Sequence, residues 1–219
     1  MNQIEHIDLG NLVYERLKSM ILSGELAPGQ KILQEHLALR LGVSRTPLLK
    51  ALQILEKEFL VVSMPRKGMY VNKLSLEDLA DAFECRAGLE GVAARLTAMM
   101  ADPEDINDLY EIFRPFQETG GKISEIEYTK ADLVFHKKVI EYSQNDFLRR
   151  IELMANIHQA TYNRGLIRPP EETLPEHIKI IEALKNRDAD KAEQRMLMHL
   201  RKSIDRIRTE MKNGDAAAT

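Results

Sequence analysis

The chain has 219 residues, of which 44% are hydrophobic and 30% are charged, and its formal net charge at pH 7 is −3. These values are typical of one large or two modest globular domains and exclude disorder over most of the chain. No run approaches the roughly 20 apolar residues of a membrane span, and the N-terminus lacks a basic segment followed by an apolar core, so we expect a cytoplasmic protein with no membrane partner.

Charge is unevenly distributed along the sequence. Residues 1–73 carry 10 Lys and Arg against 7 Asp and Glu, whereas residues 74–219 carry 21 against 27. A mildly basic part joined to an acidic part is typical of a DNA-binding module attached to a module with another role. We therefore predict two domains, residues 1–73 and 74–212, followed by a disordered tail at 213–219.

The first domain is predicted to begin with an amphipathic helix. Apolar residues repeat at three- and four-residue spacing over residues 9–23, and Gly24 is placed as a left-handed stop. Residues 33–60 then contain two shorter amphipathic helices. Gly42 ends the first of them, and Ser44 is placed to cap the second with its hydroxyl. This is the pattern of a helix-turn-helix.

The second helix of this pair is predicted to be the recognition helix. Its apolar residues recur at helical spacing on one face, which leaves the opposite face to enter a major groove. We predict that Arg45 and Thr46 read bases and that Ser44 and Lys50 contact phosphates. Leu49 lies one turn after Arg45 and also faces the DNA.

A two-stranded wing is predicted to follow. Residues 60–63 and 69–73 are short runs with β-branched residues, separated by Met64-Pro65-Arg66-Lys67-Gly68. The tip, with Arg66, Lys67 and Gly68, is predicted to contact phosphates or the minor groove. The first domain is therefore predicted to be a winged helix-turn-helix that binds double-stranded DNA.

Beyond residue 74 no strand pattern remains. Two capping boxes, Ser75 with Asp78 and Ser124 with Glu127, are predicted to begin two long helices. Four more helices are expected near residues 102–118, 145–164, 173–185 and 188–212. Six helices over about 135 residues predict an antiparallel bundle with its own core. The predicted fold class is mainly α, with a small β-wing in the first domain.

Four polar residues of the second domain form a candidate metal site. Asp132 and His136 lie four residues apart in one predicted helix and so project from the same face. His177 and His199 fall on the last two helices and reach the same point if these helices pack around the first. Such a set suits Zn²⁺, with Ni²⁺, Mn²⁺ and Fe²⁺ as alternatives. The other interpretation is a set of solvated surface groups.

Several segments resemble a known family. LGVSRTPLLKAL, followed by the basic wing, resembles the GntR superfamily of bacterial transcription regulators. FECRAGLEGVAARL, ADLVFHKKV, EHIKIIEAL and DADKAEQRMLMHL are similar to its FCD subfamily, whose effector domain is an all-helical bundle. In that subfamily one Asp and three His often hold a divalent metal, and the matching positions here are Asp132, His136, His177 and His199. The resemblance further implies a pocket at the metal for a small carboxylate effector.

The resemblance also indicates residues of the effector pocket. Arg86 matches the arginine of the family's first bundle helix, and a guanidinium inside a bundle needs an anion such as the effector carboxylate. The alternative for Arg86 is a structural pair with Glu90, one turn on. Asn156 and His158 fall where a pocket wall can lie, and we include Asn156 among the candidate effector-binding residues.

One departure from the family concerns DNA recognition. The family usually has Arg at the position of Leu49 and Glu at that of Lys50. Leucine cannot donate a hydrogen bond to guanine, so either the operator differs from the family's common half-site or Leu49 contacts a thymine methyl.

These features together predict a homodimeric, ligand-responsive regulator that binds a pseudo-palindromic operator, acts as a repressor and is not an enzyme. The main alternative is a metal-dependent hydrolase, but no motif specifies the general base that it needs. A third possibility is a regulator in which the metal is purely structural.

Overall fold

The computed structural model describes residues 9–73, 75–118, 123–155, 158, 161 and 167–217. The chain divides into two compact units, and the change from the first to the second follows Lys73. Each unit has a hydrophobic core of its own. The two units are therefore described separately.

The first unit contains three helices and a small sheet. The helices are α1 (Leu9–Leu22), α2 (Gln34–Leu41) and α3 (Arg45–Lys57), and the strands are β1 (Lys31–Ile32), β2 (Val61–Met64) and β3 (Gly68–Val71). β3 lies between the other two and is antiparallel to both. The predicted two-stranded wing corresponds to β2 and β3. The third strand, β1, was not predicted, because it has only two residues. It is a strand through its pairing with β3, which no pattern within two residues can indicate.

The helix-turn-helix forms as predicted, with one local difference. Gly42 follows α2 with φ +66°, a left-handed conformation that glycine adopts without strain. Ser44 is the N-cap residue of α3, but its hydroxyl makes no capping hydrogen bond. A serine cap accepts from the second or third amide of the helix, and the third residue here is Pro47, which has no N–H.

The second unit is a bundle of long helices, as predicted. They are α4 (Leu76–Met100), α5 (Pro103–Glu118), α6 (Glu125–Tyr142), α7 (Asp146–Ala155), α8 (Pro170–Lys185) and α9 (Ala189–Ala217). α4 packs along α9 and also contacts α6 and α8. α9 continues to Ala217, through most of the segment expected to be a disordered tail, because a helix that is already formed extends at little cost and the segment ends in two alanines, although Gly214 and Asp215 are poor helix formers.

The helix starts follow local capping rules. Ser75 and Asp78 form both bonds of a capping box, with Asp78 N donating to Ser75 Oγ at 3.0 Å and Ser75 N donating to Asp78 Oδ2 at 2.9 Å. Ser124 forms its half of the second box, accepting from Glu127 N at 3.5 Å. α8 begins at Pro170, earlier than expected, because proline is pre-set for the first helical turn.

The centre of the bundle is apolar on one side and polar on the other. Phe113, Tyr128 and Phe135 are fully buried and pack together beside α8. Next to this aromatic group, α6, α8 and α9 each place histidine in the interior. Within the described ranges, no helix is both long enough and apolar enough to cross a membrane.

Candidate functional site

The predicted recognition residues lie on an exposed face of the first unit. The buried residues of α3 face the core, and the opposite side of the helix is left to solvent. The exposed residues there are Ser44, Arg45, Thr46, Leu49 and Lys50. Leu49 keeps 37% of its surface exposed in a helix whose other leucines are buried. An exposed leucine between cations is an apolar contact point on a polar surface.

Arg45 lies near a carboxylate of the neighbouring helix. Its Nη1 lies 3.7 Å from Oε1 of Glu35, which belongs to α2. Both side chains are largely exposed, so this pair contributes little to stability. Arg45 is the first residue of α3, and in a helix-turn-helix the start of the recognition helix meets base edges.

The tip of the wing presents the predicted basic residues. Arg66 and Lys67 are exposed in the turn between β2 and β3, and the exposed Gly68 is the first residue of β3. Arg66 has φ +63°, a left-handed conformation that non-glycine residues rarely adopt. Cations at a tight hairpin tip can reach phosphates or enter a narrow groove.

The four predicted metal ligands converge from three helices. Asp132 and His136 lie on α6, His177 on α8 and His199 on α9. One ligand atom from each lies within 4.8 Å of the others. Nε2 of His177 is 3.4 Å from Asp132 Oδ1, and Nε2 of His136 is 3.8 Å from the same oxygen. The structure thus brings together groups that are far apart in sequence.

The second ring nitrogen of each histidine faces an oxygen atom. The pairs are Nδ1 of His177 with the Tyr128 hydroxyl at 3.0 Å, Nδ1 of His199 with Glu176 Oε2 at 2.8 Å, and Nδ1 of His136 with Glu90 Oε2. The carboxylates favour a proton on Nδ1 of His136 and His199, and the Tyr128 hydroxyl can accept from Nδ1 of His177, which leaves the lone pair of each Nε2 for a metal ion. They also fix the orientation of each ring.

The electrostatics of the cluster suit a cation. Nε2 of His177 is buried and has no hydrogen-bond partner within the described part of the chain. Burial lowers the pKa of His177 well below its usual value and also lowers the pKa of His199. Both imidazoles are therefore neutral near pH 7, which is the form that binds metal. An unsatisfied buried nitrogen beside a carboxylate and two further imidazoles fits a divalent ion.

A cavity adjoins the four residues. Asp132, His136 and His199 line it together with Arg86, His158, Thr161, Arg168 and Ser203. The Nε of Arg86 donates to Glu90 Oε1 at 2.7 Å, and its Nη1 donates to Thr161 Oγ1 at 3.1 Å. The pair with Glu90 is therefore present, and Arg86 also lines the cavity. Asn156 lies outside the described residues.

Sequence reasoning missed the group that supports His199. Glu176 bonds His199, Arg168 Nη1 donates to Glu176 Oε1 at 3.1 Å, and Arg168 Nη2 donates to the His199 carbonyl at 3.1 Å. Burial alone would raise the pKa of Glu176, but hydrogen bonds from His199 and two cations lower it. The sequence does show Arg168 just before the predicted helix at 173–185 and Glu176 within it. Their spacing does not reveal that both contact His199 on the next helix.

Comparisons with known proteins agree with this architecture. Residues 9–71 match the bacterial regulatory proteins of the gntR family, and residues 81–202 match the FCD domain. The chain is 32% identical to the Nta operon transcriptional regulator of Aminobacter aminovorans, over 86% of this chain and 89% of that protein. It is 26% identical to the HTH-type transcriptional repressor RspR of Escherichia coli (strain K12), over 90% of this chain and 87% of that protein.

A solved structure shares the fold. E. coli McbR/YncC matches with a TM-score of 0.70 at 22% identity, covering 93% of this chain and 98% of that one. The matched families and relatives are transcription regulators, not enzymes, so the hydrolase alternative is set aside. The chain belongs to the GntR family of bacterial transcription regulators, as a DNA-binding regulator that carries an FCD effector domain.

Proposed function

We propose that this protein is a metal-dependent repressor that binds operator DNA as a homodimer and responds to a small carboxylate. The observation that carries the proposal is the convergence of Asp132, His136, His177 and His199 beside a cavity. In this proposal residues 1–73 bind DNA, and residues 74–212 hold the metal, the effector and the dimer contact.

The proposed metal is Zn²⁺, with Ni²⁺, Mn²⁺ and Fe²⁺ as alternatives. One carboxylate and three imidazoles are ligands that all four ions accept. When bound, the ion would supply a Lewis-acidic centre that can attract an effector oxygen. Arg86 lines the same cavity and, although it is paired with Glu90, it is the arginine that we propose to hydrogen-bond the effector carboxylate. Asn156 remains a candidate for the pocket wall.

In the DNA-binding domain we propose that different residues contact the bases and the DNA backbone. Arg45 and Thr46 read base edges, and Leu49 contacts a thymine methyl. Ser44, Lys50, Arg66, Lys67 and Gly68 contact the backbone or the minor groove. All of these residues are exposed, which supports their assignment to a DNA-facing surface.

The homodimer accounts for recognition of an operator by such short helices. Two copies related by a twofold axis place two recognition helices on a pseudo-palindromic site. The effector then acts by favouring one arrangement of the bundle over another, and the operator favours one of the same arrangements. Repression is proposed because the relative RspR is named a repressor.

The test uses an operator selected from random duplex DNA with the purified full-length protein. Fluorescence anisotropy then measures DNA release by glycolate, lactate, pyruvate, gluconate and citrate, with Zn²⁺-loaded and with chelated protein. We expect at least one carboxylate to shift the dissociation constant for DNA about 5- to 150-fold, only in the loaded protein. Identical responses with and without metal would contradict the proposal.

The same assay distinguishes sensing from a purely structural metal. His177→Ala is expected to remove both the rise in melting temperature on adding Zn²⁺ and the effector-dependent release of DNA. If the variant stays folded and still releases DNA in response to the carboxylate, the metal is structural.

A further inference from the structure

Glu90 is a buried carboxylate at the centre of the second unit, with 0% of its surface exposed. Its Oε1 accepts from Arg86 Nε at 2.7 Å and lies 2.9 Å from His158 Nε2. Its Oε2 bonds Nδ1 of His136. Among the described residues that line the cavity are Arg86, His136 and His158, but Glu90 is not one of them. Glu90 therefore acts through its neighbours.

The carboxylate of Glu90 is surrounded by hydrogen-bond donors. Arg86 donates to Oε1, His158 Nε2 lies against the same oxygen, and Nδ1 of His136 meets Oε2. A charged carboxylate in the interior is strongly unfavourable unless cations and hydrogen bonds compensate it. Both oxygens of Glu90 are compensated in this way.

His158 is held between two carboxylates. Its Nδ1 lies 2.7 Å from Glu152 Oε2, and its Nε2 faces Glu90. Burial alone would lower the pKa of His158, but the charge of Glu90 raises it above its ordinary value. Arg86 and His158 thus hold Oε1 of Glu90 from one side, while Oε2 on the other side meets His136.

This arrangement restrains a ring that faces the metal cluster. Nδ1 of His136 is the ring nitrogen that meets Glu90 Oε2, so it is placed to donate to the carboxylate. The unprotonated Nε2 is then the atom on the side of Asp132, 3.8 Å from Oδ1. The tautomer and the direction of the His136 ring are both set by a residue of a different helix, α4.

We propose that Glu90 is a positioning residue for the metal centre, which orients His136 and is itself held by Arg86 and His158. The inference rests on the metal site proposed above. It gives Arg86 a role in metal binding that does not require the effector, because the guanidinium reaches His136 through Glu90. Partners of this kind typically change metal affinity 10- to 100-fold.

The test measures Co²⁺ binding to the full-length, chelator-treated protein, both by competition with a chromophoric chelator and by the visible d–d absorption of the bound ion. We expect Glu90→Gln to weaken Co²⁺ binding about 10- to 100-fold and to change the absorption spectrum. The matched control is Thr97→Val, also on α4. Thr97 is buried and donates to the Val139 carbonyl of α6 at 2.8 Å, so its loss disturbs the same helix pair without touching a ligand.

A second variant keeps the test decisive if Glu90→Gln fails to fold. His158→Gln removes one partner of Glu90 and leaves His136 and its hydrogen bond in place. We expect a smaller loss of Co²⁺ affinity in the same direction. Wild-type affinity and spectrum in a folded Glu90→Gln or in His158→Gln would overturn the inference.

Co²⁺ binding by a ligand variant distinguishes a failure of the Glu90 inference from a failure of the proposed metal site. His177→Ala removes a ligand outright and is expected to abolish tight Co²⁺ binding. If wild-type protein binds Co²⁺ and His177→Ala does not, the metal site stands whatever the Glu90 variants do. If wild-type protein binds no Co²⁺, Zn²⁺ or Ni²⁺, the metal site and the inference both fall.

Discussion

The Tyr128 hydroxyl lies 3.0 Å from Nδ1 of His177, so a residue of α6 orients a candidate ligand on α8. The same hydroxyl is 2.9 Å from Thr173 Oγ1, and burial raises the pKa of Tyr128, so it keeps its proton. Phe113 stacks on the His177 ring with 4.6 Å between centroids and 9° between planes. The ring is therefore held in place by the protein alone.

The first prediction concerns this hydroxyl. Tyr128→Phe removes the oxygen partner of Nδ1, so the His177 ring is free to change tautomer, and we expect metal affinity to fall about 10- to 100-fold. Competition with a chelator measures the change. Tyr142→Phe is the control, since Tyr142 is also on α6 but its hydroxyl contacts Lys138 and Asp108. Equal affinities in the two variants would contradict the assigned role.

The second prediction is the pH dependence of stability without metal. The pKa values of His177 and His199 lie below the ordinary 6.5 in the folded protein. As the pH falls through 6.5, the unfolded chain therefore binds more protons than the folded one, and stability falls by up to about 1.4 kcal/mol per pH unit for each group. His158 has a raised pKa. The stabilisation that protonated His158 provides is fully present below pH 6.5, so it does not offset the loss of stability from His177 and His199 at lower pH.

Urea denaturation of chelator-treated protein at pH 7.5, 6.5 and 5.5 measures this effect. We expect the free energy of unfolding to drop between pH 6.5 and 5.5, and His177→Gln to show a shallower drop. Stability that stays constant over this interval in the wild-type protein would mean that the two imidazoles are not buried in their neutral form.

The third prediction uses two glycines of α4. An added Cβ at Gly88 meets nothing within 4 Å, whereas at Gly91 it would lie 3.0 Å from Leu197 Cγ on α9. Gly88→Ala should raise the free energy of unfolding by about 0.5–1 kcal/mol through helix propensity. Gly91→Ala gains the same propensity but forces Leu197 away, and overpacking costs about 1–3 kcal/mol. Thermal melts that rank the two variants equally would show that α4 and α9 are not closely packed there.

The fourth prediction concerns Leu49. If its exposed side chain contacts a thymine methyl, replacing that thymine with deoxyuridine in a selected operator removes only the methyl group. Burial of one methyl is worth about 0.8 kcal/mol, so we expect the DNA dissociation constant to rise about fourfold. Leu49→Ala should be insensitive to the same replacement. If deoxyuridine at each thymine position in turn leaves wild-type binding unchanged, Leu49 does not read thymine.

Local features of the fold were predictable because their causes are local. Gly42 ends α2, and Ser75 with Asp78 begins α4, through contacts within four residues. Two of the candidate ligands, Asp132 and His136, were predictable for a similar reason, since they share one turn of helix, whereas His177 and His199 were assigned through the resemblance to the FCD subfamily. Strand β1 was not predictable, because Lys31 and Ile32 are extended only by pairing with β3.

The supporting residues of the site depend on tertiary packing. Glu90 was identified as a possible partner of Arg86, which lies one turn away, but its bond to His136 joins two helices. Glu176 and Arg168 likewise meet His199 across a long sequence separation. Periodicity indicates that such residues face inward, but it carries no information on which helix they face.

The two hydrophobic cores have no residue in common, and all four candidate ligands belong to one of the two units. A chain built in this way is expected to unfold in two calorimetric transitions rather than one. An ion bound only to the folded bundle raises the temperature of that transition and leaves the other unchanged. Removal of such an ion would then lower the transition temperature of the unit that contains the candidate ligands, while the transition of residues 9–73 would stay where it is.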